Sequence, residues 1–251
     1  MPEGDTVWRT ANALHEALAG HVLTRCDIRV PRYAVIDLSG QEIDEVVSRG
    51  KHLLIRVGDH SIHTHLKMEG AWHIYAPDSA WRRPGHQARI VLATEHRVAV
   101  GFSLGITEVI ARDAEASAIG PLGPDLLGPD WDTSTAVRNL LEAGEQPIGL
   151  ALVDQRNLAG LGNLYRSEVC FLRGVHPFTP TSEVIDLPAM VILAHRMIHA
   201  DKNSPHRHRP WVYGRAGRGC RRCGTVIEGR ELGLQLIYFC THCQRSPARA
   251  S

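Results

Sequence analysis

A short segment dense in proline and glycine divides this chain into two parts of different sequence character. It reads Gly120-Pro121-Leu122-Gly123-Pro124-Asp125 and is followed by Gly128-Pro129. Proline and glycine at this density interrupt both helices and strands. At 251 residues the chain is long enough for one large domain or two ordinary ones. We therefore expect a domain boundary here, with a linker over residues 115–131.

The part before the boundary begins with a helix and continues as short strands. Asp5 or Thr6 can cap a first helix that ends at Gly20, because apolar residues recur between them at helical spacing. Turn residues then separate strand-like runs, which favours an antiparallel sandwich or barrel over a parallel βαβ sheet. The expected strands are 22–30, 45–48, 52–57, 61–66, 71–75, 88–94, 97–102 and 106–110.

The part after the boundary has the periodicity of helices. Thr133 or Ser134 can cap the first of them, and Asp186 with Pro188 marks the start of the last. The expected helices span 133–143, 147–155, 162–173 and 187–199.

Charge is distributed unevenly, although the chain's formal net charge is only +1. Residues 202–251 contain ten lysines or arginines and two glutamates, a net charge of +8, which leaves −7 for residues 1–201. Such an asymmetry indicates a surface that binds a polyanion. The basic run at 201–219 is either a solvated connector or a loop that faces phosphates, and its position before the C-terminal cysteines favours the second.

The composition is that of a globular protein with a core, since 43% of residues are apolar and 22% are charged. No run approaches the roughly 18 apolar residues of a membrane helix. The N-terminus lacks the pattern of a secretory signal. We therefore expect a cytoplasmic, nucleoid-associated protein that does not enter a membrane.

Four cysteines near the C-terminus have the spacing of metal ligands. Cys220-x2-Cys223 and Cys240-x2-Cys243 are sixteen residues apart. A β-hairpin of that length would fold the two thiolate pairs into one tetrahedral site. The alternative, two disulfides, does not suit a reducing cytoplasm. We predict one structural zinc ion, with no open coordination position for catalysis.

The first residues, Met1-Pro2-Glu3-Gly4-Asp5, could carry chemistry. If Met1 is removed, Pro2 has a free secondary amine, and an α-amino group of pKa about 7.7–8.0 is partly neutral in the cell. Such an amine can attack a sugar carbon and form an iminium. Glu3 supplies a carboxyl group for proton transfer. The alternative is an N-terminus without chemistry.

Three further motifs suit contact with DNA. Gly160-Leu161-Gly162-Asn163 precedes a predicted helix, and either binds phosphate with its N–H groups and amide or forms only a tight turn. Lys51 follows Arg49-Gly50 and is either a solvated charge or a residue that reaches a phosphate. Met68 is either core filler or an apolar wedge that occupies the space of an extruded base.

Together these segments resemble the formamidopyrimidine-DNA glycosylase / endonuclease VIII family. The N-terminal start, the Arg49-Gly50-Lys51 motif, the 65–70 and 160–165 motifs and the four cysteines stand in the family's order and span nearly the whole chain. The resemblance implies an α+β fold in three parts. These are an N-terminal helix plus antiparallel β-sandwich at 1–114, a helix–two-turn–helix domain at 132–210 and a zinc-finger β-hairpin at 211–251.

The resemblance also implies a bifunctional DNA glycosylase and AP lyase of base-excision repair. It implies that the enzyme acts on oxidised bases in damaged double-stranded DNA, with single-stranded DNA left open, and we expect a monomer. The Pro-Glu-Gly start is closer to endonuclease VIII, which favours oxidised pyrimidines and β,δ-elimination. The implied roles are nucleophile for Pro2, acid/base for Glu3, phosphate contact and proton relay for Lys51, phosphate ligand for Asn163 and void filler for Met68.

Two features depart from the family pattern. The formamidopyrimidine branch has an Arg and a Phe on a later loop where this chain has residues 102–105, so Leu104 or Lys67 could contribute to the plug. The family has an Arg five residues before the third cysteine where this chain has Gln235, and nearby arginines such as Arg215 and Arg218 could supply the charge. These departures keep a second hypothesis open, a protein that binds DNA lesions with little or no turnover.

Overall fold

The computed structural model of the chain describes residues 2–204 and 209–245. The chain folds as two compact units, Met1–Pro121 and Leu122–Ser251. Their boundary falls in the segment rich in proline and glycine. The finer division of the chain at 114, 131 and 210 stays a prediction, and residues 205–208 of the predicted basic run lie outside the described residues.

The first unit begins with helix α1 (Gly4–Leu18). The helix starts earlier than predicted, because the carbonyl oxygen of Glu3 already accepts a hydrogen bond from the Thr6 N–H at 3.0 Å. Asp5 therefore lies inside the first turn, where its carboxylate pairs with Arg9 at 2.9 Å. The prediction that Asp5 or Thr6 caps the helix is wrong, whereas Gly20 follows its end in the expected left-handed conformation, with φ of 75°.

The first unit has eight strands after α1. They are β1 (Arg25–Ile28), β2 (Ile43–Arg49), β3 (His52–Val57), β4 (His60–His65), β5 (Ala71–Tyr75), β6 (Ala88–Ala93), β7 (Val98–Phe102) and β8 (Ile106–Ala111). Each predicted strand is present, and the first is shorter than expected at both ends. The strands form two antiparallel four-stranded sheets, in the orders β1-β6-β7-β5 and β2-β3-β4-β8.

The main core of the first unit contains residues of both sheets and of α1. Side chains alternate between the faces of a strand, so every second residue enters this core. Its members include Leu14 of α1, Leu53 and Ile62 of one sheet, and Ile90 and Ala99 of the other. The predicted antiparallel β-sandwich with an N-terminal helix is confirmed.

A short helix, α2 (Glu115–Ile119), occupies the start of the predicted linker. The buried Glu115 carboxylate accepts hydrogen bonds from Arg56 on β3, one of them 2.9 Å long, and from the Ser61 hydroxyl on β4. Burial alone would raise the pKa of Glu115, but the hydrogen bonds from Arg56 and Ser61 outweigh it, so the pKa is lowered. The ion pair between Glu115 and Arg56, which are far apart in sequence, thus holds this helix against the sheet, although the local composition predicts a linker here.

The described part of the second unit has four α-helices around an apolar core that includes Leu140, Tyr165 and Val191. They are α3 (Thr133–Glu142), α4 (Ile148–Ala151), α5 (Asn163–Leu172) and α6 (Leu187–Lys202). Asp186 caps α6 as predicted, through its carboxylate and the Ala189 N–H at 3.1 Å. No helix among the described residues is both long and apolar enough to cross a bilayer.

Two helix predictions in this unit are wrong in detail. Asp132, and not Thr133 or Ser134, caps α3, because its carboxylate reaches the Thr135 N–H at 2.8 Å. α4 is one turn long and does not reach residue 155. The Asn157 side-chain amide donates a hydrogen bond of 2.9 Å to the carbonyl of Ala151, the last residue of α4, and so stabilises the turn that follows the helix.

A β-hairpin follows, formed by β9 (Glu228–Leu232) and β10 (Gln235–Phe239) in antiparallel register. It lies between the two cysteine pairs, as their spacing predicts.

Candidate active site and DNA-contact residues

The N-terminal pair, Pro2 and Glu3, lies at the entrance of α1. Glu3 is 1% exposed and is the residue that precedes the first helical position. Pro2 is half-buried. Because Glu3 is the residue next to Pro2, its carboxyl group is a candidate for proton transfer to or from a group bound at the Pro2 nitrogen.

Lys51 lies in the two-residue turn between β2 and β3. Arg49 and His52 form the last pair of the hairpin, which leaves Gly50 and Lys51 as its loop. Gly50 has φ of 58°, the left-handed value that two-residue hairpin turns require and that glycine adopts at little cost. The tight turn holds Lys51 at a defined place, half-buried at the end of the sheet.

Met68 lies at the tip of the turn between β4 and β5 and is 66% exposed. The Gly70 N–H donates to the Leu66 carbonyl at 2.9 Å, which closes the turn. Leu66, and not Met68, enters the core. The alternative that Met68 fills the core is therefore wrong, and the side chain is available for contact with a partner.

The sequence did not reveal Arg83, which holds this turn from outside. Its guanidinium Nη1 donates to the Glu69 carbonyl at 3.2 Å. The two residues are fourteen positions apart, so no local pattern links them. Leu104 is 7% exposed and belongs to the core, which removes it from the candidate plug, whereas Lys67 is exposed beside Met68.

His65 closes the Met68 turn at its start. Its Nδ1 accepts a hydrogen bond from the Lys67 N–H at 2.9 Å, and Lys67 has φ of 52°, a strained value for a residue with a side chain. Burial is the main cause, with smaller electrostatic contributions from nearby His52 and Lys67, and together they lower the pKa of His65 to about 3. The ring is therefore neutral near pH 7 and keeps the acceptor that this turn requires.

Asn163 is the first residue of α5, after the turn at 160–162. The turn is held by Gln155, which accepts from the Gly160 N–H at 2.9 Å and donates to the Leu161 carbonyl at 3.0 Å. The Asn163 Nδ2 donates to the Leu236 carbonyl of β10 at 2.8 Å. The predicted phosphate ligand therefore also joins the helix to the hairpin.

The described part of the basic run is held by a buried carboxylate. Glu168 accepts hydrogen bonds from three successive N–H groups, those of Trp211, Val212 and Tyr213, at 2.7, 2.9 and 2.9 Å. Arg215 donates to two carbonyls of the same loop, including that of Gly219 at 2.9 Å. Sequence reasoning missed Glu168, because its partners lie more than 40 positions away.

The arginines of this region differ in their surroundings. Arg218 is exposed, whereas the Arg222 guanidinium lies 4.5 Å from the centre of the Phe171 ring and 5.8 Å from that of Trp211. Such cation–π contacts attach the first cysteine pair to α5. Gln235 opens β10 opposite Leu232 and is half-buried.

The four cysteines predicted as metal ligands converge. The Sγ atoms of Cys220, Cys223, Cys240 and Cys243 all lie within 4.8 Å of one another, and adjacent pairs are 3.5 to 4.0 Å apart. Four thiolates about 2.3 Å from one tetrahedral zinc ion would be about 3.8 Å apart. The separations fit such an ion and exclude the two disulfides, whose sulfurs would be about 2.05 Å apart.

The structure thus places Pro2, Glu3, Lys51 and Met68 in the first unit. It places the other predicted site residues, Asn163, Arg215, Arg218, Gln235 and the four cysteines, in the second.

Two family models match the chain. The formamidopyrimidine-DNA glycosylase N-terminal domain matches residues 1–103, and the formamidopyrimidine-DNA glycosylase H2TH domain matches residues 122–199. The matches cover well over half of the sequence and follow the division into two units.

Curated relatives match over nearly their full length. A probable endonuclease 8 2 of Streptomyces coelicolor is 47% identical over 266 residues, which cover 99% of this chain and 95% of the relative. The DNA-(apurinic or apyrimidinic site) lyase Nei2 of Mycolicibacterium smegmatis is 49% identical over 253 residues, which cover 97% and 99% of the two chains.

Solved structures share the fold. A formamidopyrimidine-DNA glycosylase of Lactococcus lactis, bound noncovalently to DNA that contains an AP site, superposes with a TM-score of 0.82 at 22% identity, over 97% of this chain and 100% of that one. The family models and the close relatives agree with the order of motifs in the sequence. The chain belongs to the formamidopyrimidine-DNA glycosylase / endonuclease VIII family.

Proposed function

We propose that this protein is a bifunctional DNA glycosylase and AP lyase of base-excision repair. The observation that carries the proposal is the half-buried Pro2 directly followed by the buried Glu3 at the start of α1. This arrangement pairs an N-terminal secondary amine with a carboxyl group that can move a proton. The family membership and the lyase name of a 49% identical relative support the same reaction.

The proposed chemistry begins when removal of Met1 frees the Pro2 amine. The nitrogen attacks C1′ of the damaged nucleotide, the bond from C1′ to the base breaks, and the base leaves with a proton. Glu3 protonates the ring oxygen of the sugar as it opens, which leaves an iminium between Pro2 and C1′. Transfer of a C2′ proton to a base then expels the 3′ phosphate, and a second proton loss and elimination expels the 5′ phosphate. Water finally hydrolyses the iminium, which releases the sugar fragment and restores the Pro2 amine.

Lys51 and Met68 are proposed to act beside this pair. Lys51 would contact a phosphate and relay protons from the tight β2–β3 turn. Met68, exposed at the tip of its turn, would occupy the space that the extruded base leaves in the duplex. Its 66% exposure is the observation that supports the second role.

The second unit is proposed to bind the DNA backbone. Asn163, at the N-terminus of α5, would donate its side-chain amide and helix N–H groups to a phosphate. Arg215, Arg218 and Gln235 would add contacts from the loop and the hairpin. Phosphate contacts position a protein on DNA without reading its sequence, so these residues would serve damaged and intact duplex alike.

We propose that Cys220, Cys223, Cys240 and Cys243 hold one structural zinc ion. The convergence of four thiols supports this assignment. The ion would supply folding free energy to a hairpin that is too small to fold alone. Four protein ligands leave it no position for substrate, so the chemistry stays with the N-terminal pair.

We propose oxidised pyrimidines in double-stranded DNA as the preferred substrates, with strand cleavage by β,δ-elimination. Relatives at 47–49% identity are named endonuclease 8 or Nei2, whereas a formamidopyrimidine-DNA glycosylase of Listeria innocua is 30% identical. The proposal includes a monomer that works in the cytoplasm on the nucleoid. A protein that only binds lesions is the second candidate, and the neutral Gln235 in place of a family arginine is what favours it.

Borohydride trapping separates the two candidates. The protein is incubated with duplex DNA that contains an abasic site or thymine glycol, and borohydride reduces the iminium to a stable cross-link. A cross-linked peptide that begins at residue 2 is the expected result, and a form that retains Met1 should bind without cross-linking. Binding without any cross-link would favour the lesion-binding protein, and a cross-link at Lys51 would move the nucleophile there.

A further inference from the structure

Three histidines lie together on the face of the β2-β3-β4-β8 sheet that is opposite the core. They are His52 on β3 and His63 and His65 on β4, and we name them the histidine trio. Leu53, Ile55 and Ile62, the residues that alternate with them, enter the core. The trio therefore occupies positions that a sandwich does not need for its hydrophobic packing.

The strand register brings the three rings into contact. His52 pairs directly with His65 across β3 and β4, and His63 is the diagonal neighbour of His52. The His52 Nδ1 and the His63 Nε2 are 2.8 Å apart, which is a hydrogen bond. The His52 and His65 rings meet edge to face, with centres 5.1 Å apart.

Glu108 on β8 completes the chain of contacts. It pairs directly with His63 across the strands, and its Oε1 is 3.6 Å from the His63 Nδ1. His63 is 1% exposed, and burial lowers its pKa, although the charges of Glu108 and Glu115 oppose this shift. The ring is thus neutral near pH 7 and has one donor and one acceptor nitrogen.

The carboxylate decides which nitrogen carries the proton. If Nδ1 of His63 carries the proton, the N–H is attracted to the negative carboxylate of Glu108. If Nδ1 is unprotonated, its lone pair is repelled by that carboxylate. The favoured tautomer therefore has Nδ1–H, which makes Nε2 the acceptor and requires His52 to donate from its own Nδ1. The hydrogen bond between His52 and His63 then orients these two rings, whereas Glu108, at 3.6 Å from the His63 Nδ1, acts on His63 through its charge and not through a hydrogen bond.

The trio lies between two turns of the candidate active site. His52 directly follows Lys51, and its backbone closes the hairpin whose loop is Gly50-Lys51. His65 holds the Met68 turn through the Lys67 N–H. A contact path therefore runs from Glu108 through His63 to His52, and from there to both turns.

We propose that His63 is a positioning residue that sets the Lys51 turn and the Met68 turn together, through His52 and His65. The proposal rests on the roles proposed above for Lys51 and Met68. In this arrangement Lys51, the proposed phosphate contact, and Met68, the proposed void filler, would be held at a fixed distance from each other. Metal binding does not explain the trio, since among the described residues only the four cysteines converge as metal ligands.

The first test measures the rate of borohydride trapping in single turnovers at saturating abasic duplex. His63→Leu should slow trapping by roughly 10- to 100-fold, as expected when a reacting group shifts by about 1 Å. Its Kd for DNA should rise by a smaller factor than trapping slows, because only the Lys51 and Met68 contacts are displaced and the phosphate contacts proposed for the second unit remain. His63→Gln, whose amide can still accept from His52, should recover most of the rate.

Double mutants distinguish positioning from a general loss of stability. If His63 acts through both turns, then His63→Leu should slow trapping less in a Lys51→Ala background, or in a Met68→Ala background, than it does in the wild type, because one of the two routes is already lost. With both Lys51→Ala and Met68→Ala present, His63→Leu should have no further effect. Thr107→Val is the matched control, because this buried residue on β8 precedes Glu108 and points to the opposite face, and it should trap at the wild-type rate.

A measurement without DNA keeps this proposal separate from the proposed function. In NMR spectra of the free protein, His63→Leu should shift the amide resonances of Lys51 and Lys67, and Thr107→Val should not. If His63→Leu fails to fold, His52→Ala makes the same test. Unmoved resonances, or losses that multiply in the double mutants, would overturn the positioning role, whereas a wild-type protein that never traps would overturn the proposed function alone.

Discussion

The side-chain amide of Asn163 joins the start of α5 to β10 through a hydrogen bond of 2.8 Å to the Leu236 carbonyl. Its Oδ1 accepts from the Arg166 Nε at 2.8 Å, so both ends of the amide are oriented. A primary amide carries two N–H donors, and the second can serve a phosphate while the first holds the hairpin.

Asn163→Asp should therefore weaken both the fold and DNA binding. The carboxylate cannot donate to Leu236, which should cost about 1–3 kcal/mol of unfolding free energy, and it repels a phosphate. Urea unfolding and binding isotherms measure the two effects. Asn139→Asp is the matched control, since the Asn139 amide also holds a carbonyl, that of Asn157 at 3.1 Å, and only the stability should fall. Unchanged DNA binding in Asn163→Asp would remove it from the interface.

Glu3→Gln should separate the two activities. The amide keeps the size of the side chain but cannot transfer the proton, so base excision should fall by roughly 10²- to 10⁴-fold. Cleavage at a preformed abasic site should fall less, because no base has to leave. Rates on oligonucleotides with thymine glycol and with an abasic site make the comparison. Equal losses on both substrates would show that Glu3 only shapes the site.

Removal of one cysteine ligand should release zinc and abolish tight DNA binding. Elemental analysis should find one zinc per wild-type chain and none after Cys220→Ser or Cys240→Ser, since a structural zinc site loses affinity with its ligands. Cys26→Ser, a change in the first unit away from the cluster, should keep the metal. A zinc-free variant that binds and cleaves normally would show that the finger has no part in either.

Gln235→Arg should tighten binding to lesion-containing and intact duplex alike. A guanidinium forms a charged, forked contact with phosphate that an amide cannot match. The slope of log K against log salt should become steeper by about 0.9, the value for one more neutralised phosphate. Isotherms at several salt concentrations give the slope, and Gln235→Glu should change affinity in the opposite direction. An unchanged slope in Gln235→Arg would place this side chain away from DNA.

Stability should fall as the pH drops below about 6.5. Burial, with the positive charges of neighbouring groups, lowers the pKa of His52 to about 4 and that of His65 to about 3. An unfolded histidine has a pKa of about 6.5, so the unfolded chain binds more protons between these values, and stability rises with pH. Urea unfolding at several pH values from 7 to 4 should show the decline, with a smaller slope in His52→Gln. Identical slopes would mean that His52 is charged in the folded state.

The local sequence was sufficient for the strands and for the cluster of four cysteines. Runs in which apolar and polar residues alternate predict the strands, because successive residues of a strand face the core and the solvent in turn. This alternation can be read from neighbouring residues of the sequence. The spacing of the cysteine pairs predicts the hairpin between them for the same reason. The order of the motifs along the chain also indicates the family, because each motif is a short run of consecutive residues.

Only the tertiary structure decided which residues that are distant in sequence contact one another. Glu168 holds residues 211–213, Arg83 holds the Met68 turn, and Glu108 faces His63, and each contact joins residues whose spacing carries no signal. The same limit explains the capping errors, because Asp132 and Thr133 are both good caps by composition. The backbone path decides which of them reaches the free N–H groups, and that path depends on how the whole unit packs.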